Sequence, residues 1–89
     1  MTTSLLGLFT FAKMEENRLL YNRIKACLAL KRVRNRELAE HLGVSPQTVS
    51  KWCTNYSQPS IPELFKIAIF LKLEIADLLE PLDSLIGKP

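Results

Sequence analysis

The sequence predicts an all-α domain of five helices, and three observations support this prediction. Apolar residues recur at the three- and four-residue spacing of helices, no stretch shows the alternation of a β-strand, and no internal repeat is present. The 89 residues suffice for one small core but not for two. We therefore expect one domain at residues 17–80, after an N-terminal extension at residues 1–16 and before a C-terminal tail at residues 81–89.

The first helix is predicted over residues 17–31, because apolar residues recur there at helical spacing. Since they share one face, that face should pack on the core. The residues that form it are Leu20, Ile24, Cys27 and Leu28.

Two short helices are predicted next, at residues 35–42 and 46–54. Gly43 should end the first of them, because glycine accepts the left-handed conformation that follows the last residue of a helix, and Val44 can then turn inward. Ser45 can cap the free N–H groups of the next helix, and Pro46 suits its first position. The pattern predicts a helix-turn-helix, a unit that places its second helix in the major groove of DNA.

The third helix has two contrasting faces. Val49, Trp52 and Cys53 lie on one arc, and we expect Trp52 to be a packing anchor there. The opposite arc is polar, contains one lysine and no carboxylate, and carries hydrogen-bonding side chains of the kind that contact base edges. An ordinary solvated surface is the alternative interpretation. The polar arc consists of Gln47, Ser50, Lys51 and Thr54.

Two further helices complete the predicted domain. Ser60 and Glu63 can form a capping box at the start of helix four. Helix five is short and is predicted over residues 75–79, because Pro81 lies just beyond it. The inward stripe of helix four consists of Leu64, Ile67, Ala68 and Leu71.

Basic residues are concentrated before residue 61. Residues 17–60 contain eight basic and two acidic residues, a net charge of +6, whereas residues 61–89 contain three basic and five acidic ones, a net charge of −2. The positive part includes the predicted helix-turn-helix. A surface that binds a polyanion requires this arrangement.

The sequence does not predict export. The apolar run at residues 5–12 is too short to span a bilayer and has no basic residue before it, so we interpret it as a packing segment or dimer arm. The alternatives are that this run is disordered, or that it lies upstream of the true start of the protein at Met14. In a cytoplasmic protein without a membrane partner, Cys27 and Cys53 should be reduced core residues, with a disulfide between them as the alternative. Two cysteines alone do not make a zinc site, and no metal or cofactor is predicted.

A longer pattern connects these motifs. It comprises Asn35-Arg36-Glu37-Leu38-Ala39, Leu42-Gly43-Val44-Ser45, Thr48-Val49-Ser50, Trp52, Pro59-Ser60-Ile61, Leu64, Ile67-Ala68, Ile75 and Leu78-Leu79. This pattern resembles the phage repressor and Cro-like (XRE-type) family of helix-turn-helix transcriptional regulators over residues 17–80. The resemblance implies a lambda-repressor-like fold and a sequence-specific protein that binds double-stranded DNA, usually as a homodimer on a two-fold symmetric operator.

The resemblance also implies site residues. Base-contacting positions fall on Pro46, Gln47, Ser50 and Lys51; Gln47 can hydrogen-bond to adenine and Lys51 to guanine. Contacts to the DNA backbone are implied for Arg34, Asn35, Arg36, Ser45, Thr48, Thr54, Asn55, Tyr56, Ser57 and Gln58. A solvated surface for the two arginines, and a plain helix cap for Asn35, are the alternatives.

Three features depart from the family's pattern. Leu28 and Cys53 stand where an arginine and a glutamate are commonly paired, so we expect an apolar contact there. Arg32 occupies a position that is often glycine, so the turn either contains a left-handed non-glycine residue or takes another path. Asn55 stands where glycine often ends the recognition helix, a role that asparagine can fill.

The leading hypothesis is a dimeric, operator-specific transcriptional regulator of repressor type. No enzyme is predicted, because His41, the only histidine, has no nucleophile or acid motif beside it. His41 should lie on the surface of helix two, with a phosphate contact as the alternative. The main rival function is a protein-binding module of the same fold, such as an antitoxin that neutralises a toxin-like partner. Sequence-independent DNA binding is a third hypothesis.

Dimerisation is predicted from apolar residues near the C-terminus. They form more apolar surface than a tail of this size usually exposes. The residues are Ile75, Leu78, Leu79, Leu82, Leu85 and Ile86.

Overall fold

The computed structural model describes residues 20–85, with side chains up to Asp83, and its elements are helical. In chain order they are α1 (Ile24–Lys31), α2 (Asn35–Leu42), α3 (Pro46–Cys53), α4 (Ile61–Leu71), a 3-10 helix (Ile75–Leu78) and α5 (Leu82–Leu85). Within residues 20–85 there is no strand, and an isolated antiparallel bridge pairs Asn22 with Leu79. The all-α, lambda-repressor-like fold is confirmed. The predicted extension at residues 1–16 lies outside the described residues.

The first helix begins later than predicted. Residues 20–23 are not helical, because their backbone pairs with the chain before Pro81: the Arg23 N–H donates to the Leu78 carbonyl at 2.7 Å, and the Glu80 N–H donates to the Tyr21 carbonyl at 2.9 Å. Leu20 is 54% exposed and does not belong to the core stripe. The predicted start at residues 17–19 lies outside the described residues.

The predicted fifth helix is a 3-10 helix of four residues, Ile75–Leu78. The Asp77 carboxylate accepts a hydrogen bond from the Glu74 N–H at 3.0 Å and so caps its start. Leu79 then turns into extended backbone and forms the bridge with Asn22, which prevents another helical turn. Over residues 20–85, four α-helices of at least two turns therefore form the domain, and α5 adds a single turn.

The core contains residues from all four long helices and from the 3-10 helix. Ile24, Leu38, Val49, Ile67 and Leu78 are its largest fully buried side chains. Trp52 is 2% exposed, so its predicted packing role is confirmed. Around them lie Cys27, Leu28, Ala39, Leu64, Ala68 and Leu71.

Four residues take the left-handed conformation where elements end. Gly43, with φ of 73°, ends α2 as predicted. Arg32 ends α1 with φ of 57°, so the turn contains a left-handed non-glycine residue, which costs about 1–2 kcal/mol relative to glycine. Lys72 does the same after α4, and Asn55 after α3, with φ of 59° and 61°.

Candidate nucleic-acid interface

The turn between α2 and α3 follows Gly43, as the sequence predicts, and two backbone hydrogen bonds close it. The Val44 N–H donates to the Ala39 carbonyl at 3.0 Å and the Gly43 N–H to the Glu40 carbonyl at 3.3 Å. Val44 is half-buried against the core. This closure fixes the path from the first helix of the motif into the second.

The start of α3 is capped locally. The Ser45 hydroxyl accepts a hydrogen bond from the Thr48 N–H at 3.1 Å, and the two hydroxyls lie 3.0 Å apart. Pro46 occupies the first helical position. Both residues are predicted to contact the DNA backbone, and both lie at the start of α3. Ser45 is exposed there, and Thr48 is half-buried.

The outer face of α3 holds the four predicted base-contacting residues. Pro46, Gln47, Ser50 and Lys51 are all exposed, whereas Val49 is fully buried on the opposite side. No carboxylate lies on α3, whose sequence runs PQTVSKWC. One short helix therefore presents amide, hydroxyl and ammonium groups together.

The end of α3 folds back on the helix. The N–H groups of Tyr56 and Ser57 donate to the Lys51 carbonyl at 2.9 and 3.3 Å. The Thr54 hydroxyl lies 3.3 Å from the Ser50 carbonyl and 3.2 Å from that of Lys51. The Lys51 Nζ atom lies 5.8 Å from the centroid of the Tyr56 ring. These contacts place Tyr56 and Ser57 beside the outer face of α3.

The side chain of Asn55, one of the residues predicted to contact the DNA backbone, lies inside the fold. The residue is 8% exposed, and its Oδ1 atom accepts hydrogen bonds from the N–H groups of Tyr21 at 2.8 Å and Asn22 at 2.9 Å. Its Nδ2 atom donates to the Asn22 carbonyl at 3.1 Å. As expected from the sequence, the residue is left-handed, but its amide binds the chain before α1 and is not presented to a phosphate.

Asn22 completes this arrangement and was missed by the sequence analysis. Its Nδ2 atom donates to the Trp52 carbonyl at 2.9 Å and to Oε1 of Gln58 at 2.7 Å, and its Oδ1 atom accepts from the Ile24 N–H at 2.9 Å. The Gln58 amide, also predicted to contact DNA, donates to Oδ1 of Asn55 at 3.1 Å. We call Asn22, Asn55 and Gln58 the asparagine network. Helical periodicity could not have found Asn22, because in a helix over residues 17–31 it would lie opposite the apolar face of Leu20, Ile24, Cys27 and Leu28.

The predicted phosphate contacts of α2 lie at its start. Arg34 and Arg36 are exposed. The Arg34 N–H donates to Oε1 of Glu37 at 2.7 Å, so Arg34 is the N-cap, and the plain cap interpretation of Asn35 is wrong. Asn35 is half-buried and faces α3, where the Cys53 thiol lies 3.7 Å from its Oδ1 atom.

Cys53 and Leu28, which stand at the family's ion-pair positions, pack on the core. Leu28 is buried and Cys53 half-buried. Burial raises the pKa of the Cys53 thiol, and the positive charge of Lys25 partly opposes this. Both cysteines are free thiols, as expected. The Cys27 thiol donates to the Asp77 carbonyl at 3.2 Å, and burial also raises its pKa.

His41 lies on the surface of α2, as expected. Its ring stacks on Phe70 of α4, with centroids 4.2 Å apart. The contact links α2 to α4 through the side chain for which a phosphate contact is the alternative role.

Exposed cations lie on the helix-turn-helix and on the chain just before it. All seven basic residues in the described part of residues 20–60 are exposed: Arg23, Lys25, Lys31, Arg32, Arg34, Arg36 and Lys51. Between Leu20 and Asp83, no three histidine, cysteine or acidic side chains come together as metal ligands would. None of the described helices is long and apolar enough to cross a membrane.

Comparison with known proteins identifies the family. A helix-turn-helix family model matches residues 24–78. A crystal structure described as a "putative DNA-binding protein" from Bacteroides fragilis is similar, with a TM-score of 0.65 and 47% identity over 66% of this chain and 95% of that chain. No curated protein was found to match. The chain belongs to the helix-turn-helix family of DNA-binding regulators, of the repressor and Cro type.

Proposed function

We propose that the protein is a sequence-specific transcriptional regulator that binds double-stranded DNA with α3 in the major groove. The observation that supports it best is the exposed polar face of α3, in a helix-turn-helix that carries exposed cations on its helices and on the chain just before them. A solvated surface helix would be expected to carry charges of both signs. The similar protein from Bacteroides fragilis is described as a "putative DNA-binding protein". Residues 17–80 would form the working domain, in a cytoplasmic protein without catalytic activity.

Two groups of side chains would divide the work. Gln47 and Lys51 would contact adenine and guanine, with Pro46 and Ser50 beside them. Exposed cations would bind phosphates and fix the register of the protein on the duplex, led by Arg34 and Arg36 at the start of α2. Contacts from Asn35, Ser45, Thr48, Thr54, Tyr56, Ser57 and Gln58 would add to them.

Selection of bound sequences from a random duplex pool tests this function. A dimer should enrich a two-fold symmetric sequence with half-sites about 34 Å apart, one turn of DNA. Enrichment of no sequence, together with a steep dependence of affinity on salt, would replace the proposal with sequence-independent binding.

We also propose that the active form is a homodimer. Leu78 is fully buried, so it does not belong to the apolar surface predicted near the C-terminus. Ile75 and Leu79 are half-buried. Leu82 is exposed, and the side chains of Leu85 and Ile86 lie outside the described part of the chain. A stripe on α4 is exposed as well. The stripe comprises Ile61, Phe65 and Ile69, spaced four residues apart and 65%, 54% and 74% exposed.

Sedimentation at micromolar concentration tests dimerisation. Ile69→Glu should produce monomers if the α4 stripe is the interface, and Leu82→Glu should do so if the C-terminal part is. Lys66→Glu, a neighbouring exposed change without loss of apolar surface, is the control. Monomers only, with and without DNA, would remove the dimer.

The α4 stripe also favours a second candidate function, a module that neutralises a toxin-like partner. Co-expression with the product of an adjacent gene tests it. A stoichiometric complex that suppresses the toxicity of that product, and that Ile69→Glu abolishes, would support this function. Unchanged toxicity would exclude it.

A further inference from the structure

The ring of Tyr56 lies beside the side chain to which base recognition is assigned. The Lys51 Nζ atom is 5.8 Å from the ring centroid, within the distance of about 6 Å at which an ammonium is attracted by an aromatic face. Tyr56 is 68% exposed and lies after the end of α3, so it is not a core residue. The contact therefore concerns the outer surface of the helix.

The fold places this ring through the backbone. The Tyr56 N–H donates to the carbonyl of Lys51, the same residue whose ammonium lies near the ring. Asn55, between the end of α3 and Tyr56, is held left-handed and anchored by its amide to Tyr21 and Asn22. The backbone of Tyr56 is thus held near Lys51 by the hydrogen bonds of Asn55 on one side and by the end of α3 on the other.

A lysine that contacts a base must give up much of its conformational freedom. Its long, flexible side chain makes this loss large among the amino acids. A ring that already attracts the ammonium in the free protein reduces the freedom that remains to be lost on binding. This gain in binding free energy arises only on a duplex where the Lys51 ammonium reaches the base that accepts its hydrogen bond.

We propose that Tyr56 is a positioning residue that holds the Lys51 ammonium for base recognition. The inference rests on the proposed function. An exposed contact of this type corresponds to about a two- to fivefold change in an equilibrium constant. Tyr56 should therefore affect the preference for guanine at the base pair contacted by Lys51, and much less the overall affinity for DNA.

A direct contact between the Tyr56 hydroxyl and a phosphate, implied by the family resemblance, makes a different prediction. Loss of the hydroxyl would then weaken binding to all sequences alike. Tyr56→Phe removes the hydroxyl and keeps the ring, whereas Tyr56→Leu removes both. The two variants separate the ring from the hydroxyl.

The experiment measures dissociation constants for the selected duplex and for copies with one base pair changed, at one salt concentration. Lys51→Ala first identifies the base pair that Lys51 contacts, because replacing that base pair no longer changes the dissociation constant of this variant. At that position Tyr56→Phe should keep the discrimination of the unmodified protein, and Tyr56→Leu should lower it two- to fivefold. In the Lys51→Ala background, Tyr56→Leu should have no further effect on discrimination.

The outcomes separate the two claims. If Lys51→Ala leaves discrimination unchanged at every position, base contact by Lys51 fails and the inference with it. If Lys51→Ala lowers discrimination but Tyr56→Leu does not, or does so equally without Lys51, only the inference is overturned. Circular dichroism and Trp52 fluorescence verify that each variant is folded.

Discussion

The two ends of α3 are held in different ways. At its start, Ser45 and Thr48 are three residues apart and bond to each other. At its end, Asn22 bonds to Trp52 and Gln58, which lie 30 and 36 residues further along the chain. A local cap affects only the first turn of the helix, whereas the asparagine network connects the helix to the chain before α1.

That difference extends to the C-terminal part of the domain. The segment at residues 20–23 also pairs with residues 78–80, through the Arg23 and Glu80 N–H groups and the bridge between Asn22 and Leu79. One extended segment therefore contacts both the end of α3 and the chain that follows the 3-10 helix. Damage to the network should disturb more of the molecule than loss of the cap.

Asn55→Ala should have the largest effect on stability. It removes the buried acceptor for the Tyr21 and Asn22 N–H groups and leaves an alanine in the left-handed conformation. We expect the free energy of unfolding to fall by about 3 kcal/mol. Urea unfolding followed by the fluorescence of Trp52, the single tryptophan, measures the change.

Asn55→Gly is the matched control, because it loses the amide but accepts the left-handed conformation without strain. Its stability should lie between those of Asn55→Ala and the unmodified protein. A loss below about 0.5 kcal/mol for Asn55→Ala, typical of surface substitutions, would contradict the network.

Ser45→Ala should have a smaller effect, because it removes only a local cap. The expected loss of unfolding free energy is about 1 kcal/mol, measured in the same urea experiment. Ser45→Asp keeps an acceptor for the Thr48 N–H and should recover most of it. A loss as large as that of Asn55→Ala would mean that the two ends do not differ.

The smallest effect is expected from pH. Burial raises the pKa of Cys27, with Arg23 opposing and Asp77 adding to the rise, and burial likewise raises that of Cys53. The folded protein then holds the thiol protons more tightly than the unfolded chain. The resulting stability is complete below the unfolded pKa, about 8.5, and is lost as the pH rises through the folded pKa.

Unfolding free energies measured between about pH 8 and 10 test this, with the Cys27→Ala and Cys53→Ala double variant as reference. As the pH rises, the unfolding free energy of the unmodified protein should fall relative to that of the double variant. If the unfolding free energy of the unmodified protein stays constant or rises relative to that of the double variant, folding does not raise the pKa values of the two thiols.

The parts of the fold that depend on neighbours in the sequence could be predicted. The helix-turn-helix is defined by Gly43, Ser45 and Pro46, whose interactions span only a few residues. The start of α4 is defined in the same local way by Ser60 and Glu63. The extended backbone at residues 20–23 could not be predicted, because it forms by pairing with residues 78–80 and not from local periodicity.

The same distinction applies to the candidate site. Helical geometry alone places Gln47, Ser50 and Lys51 on one exposed face, as α3 has them. Periodicity carries no information on Asn55, which lies after the helix and is buried because Asn22 pairs with it. The ring of Tyr56 beside Lys51 depends on that turn in the same way.

The central claim is that the outer face of α3 contacts bases. The most direct measurement compares Lys51→Ala with Arg36→Ala on the selected duplex and on random duplex, at one salt concentration. Lys51→Ala should weaken binding to the selected duplex by about 1–3 kcal/mol and to random duplex much less, whereas Arg36→Ala should weaken both alike. An equal loss on both duplexes for Lys51→Ala would contradict the claim.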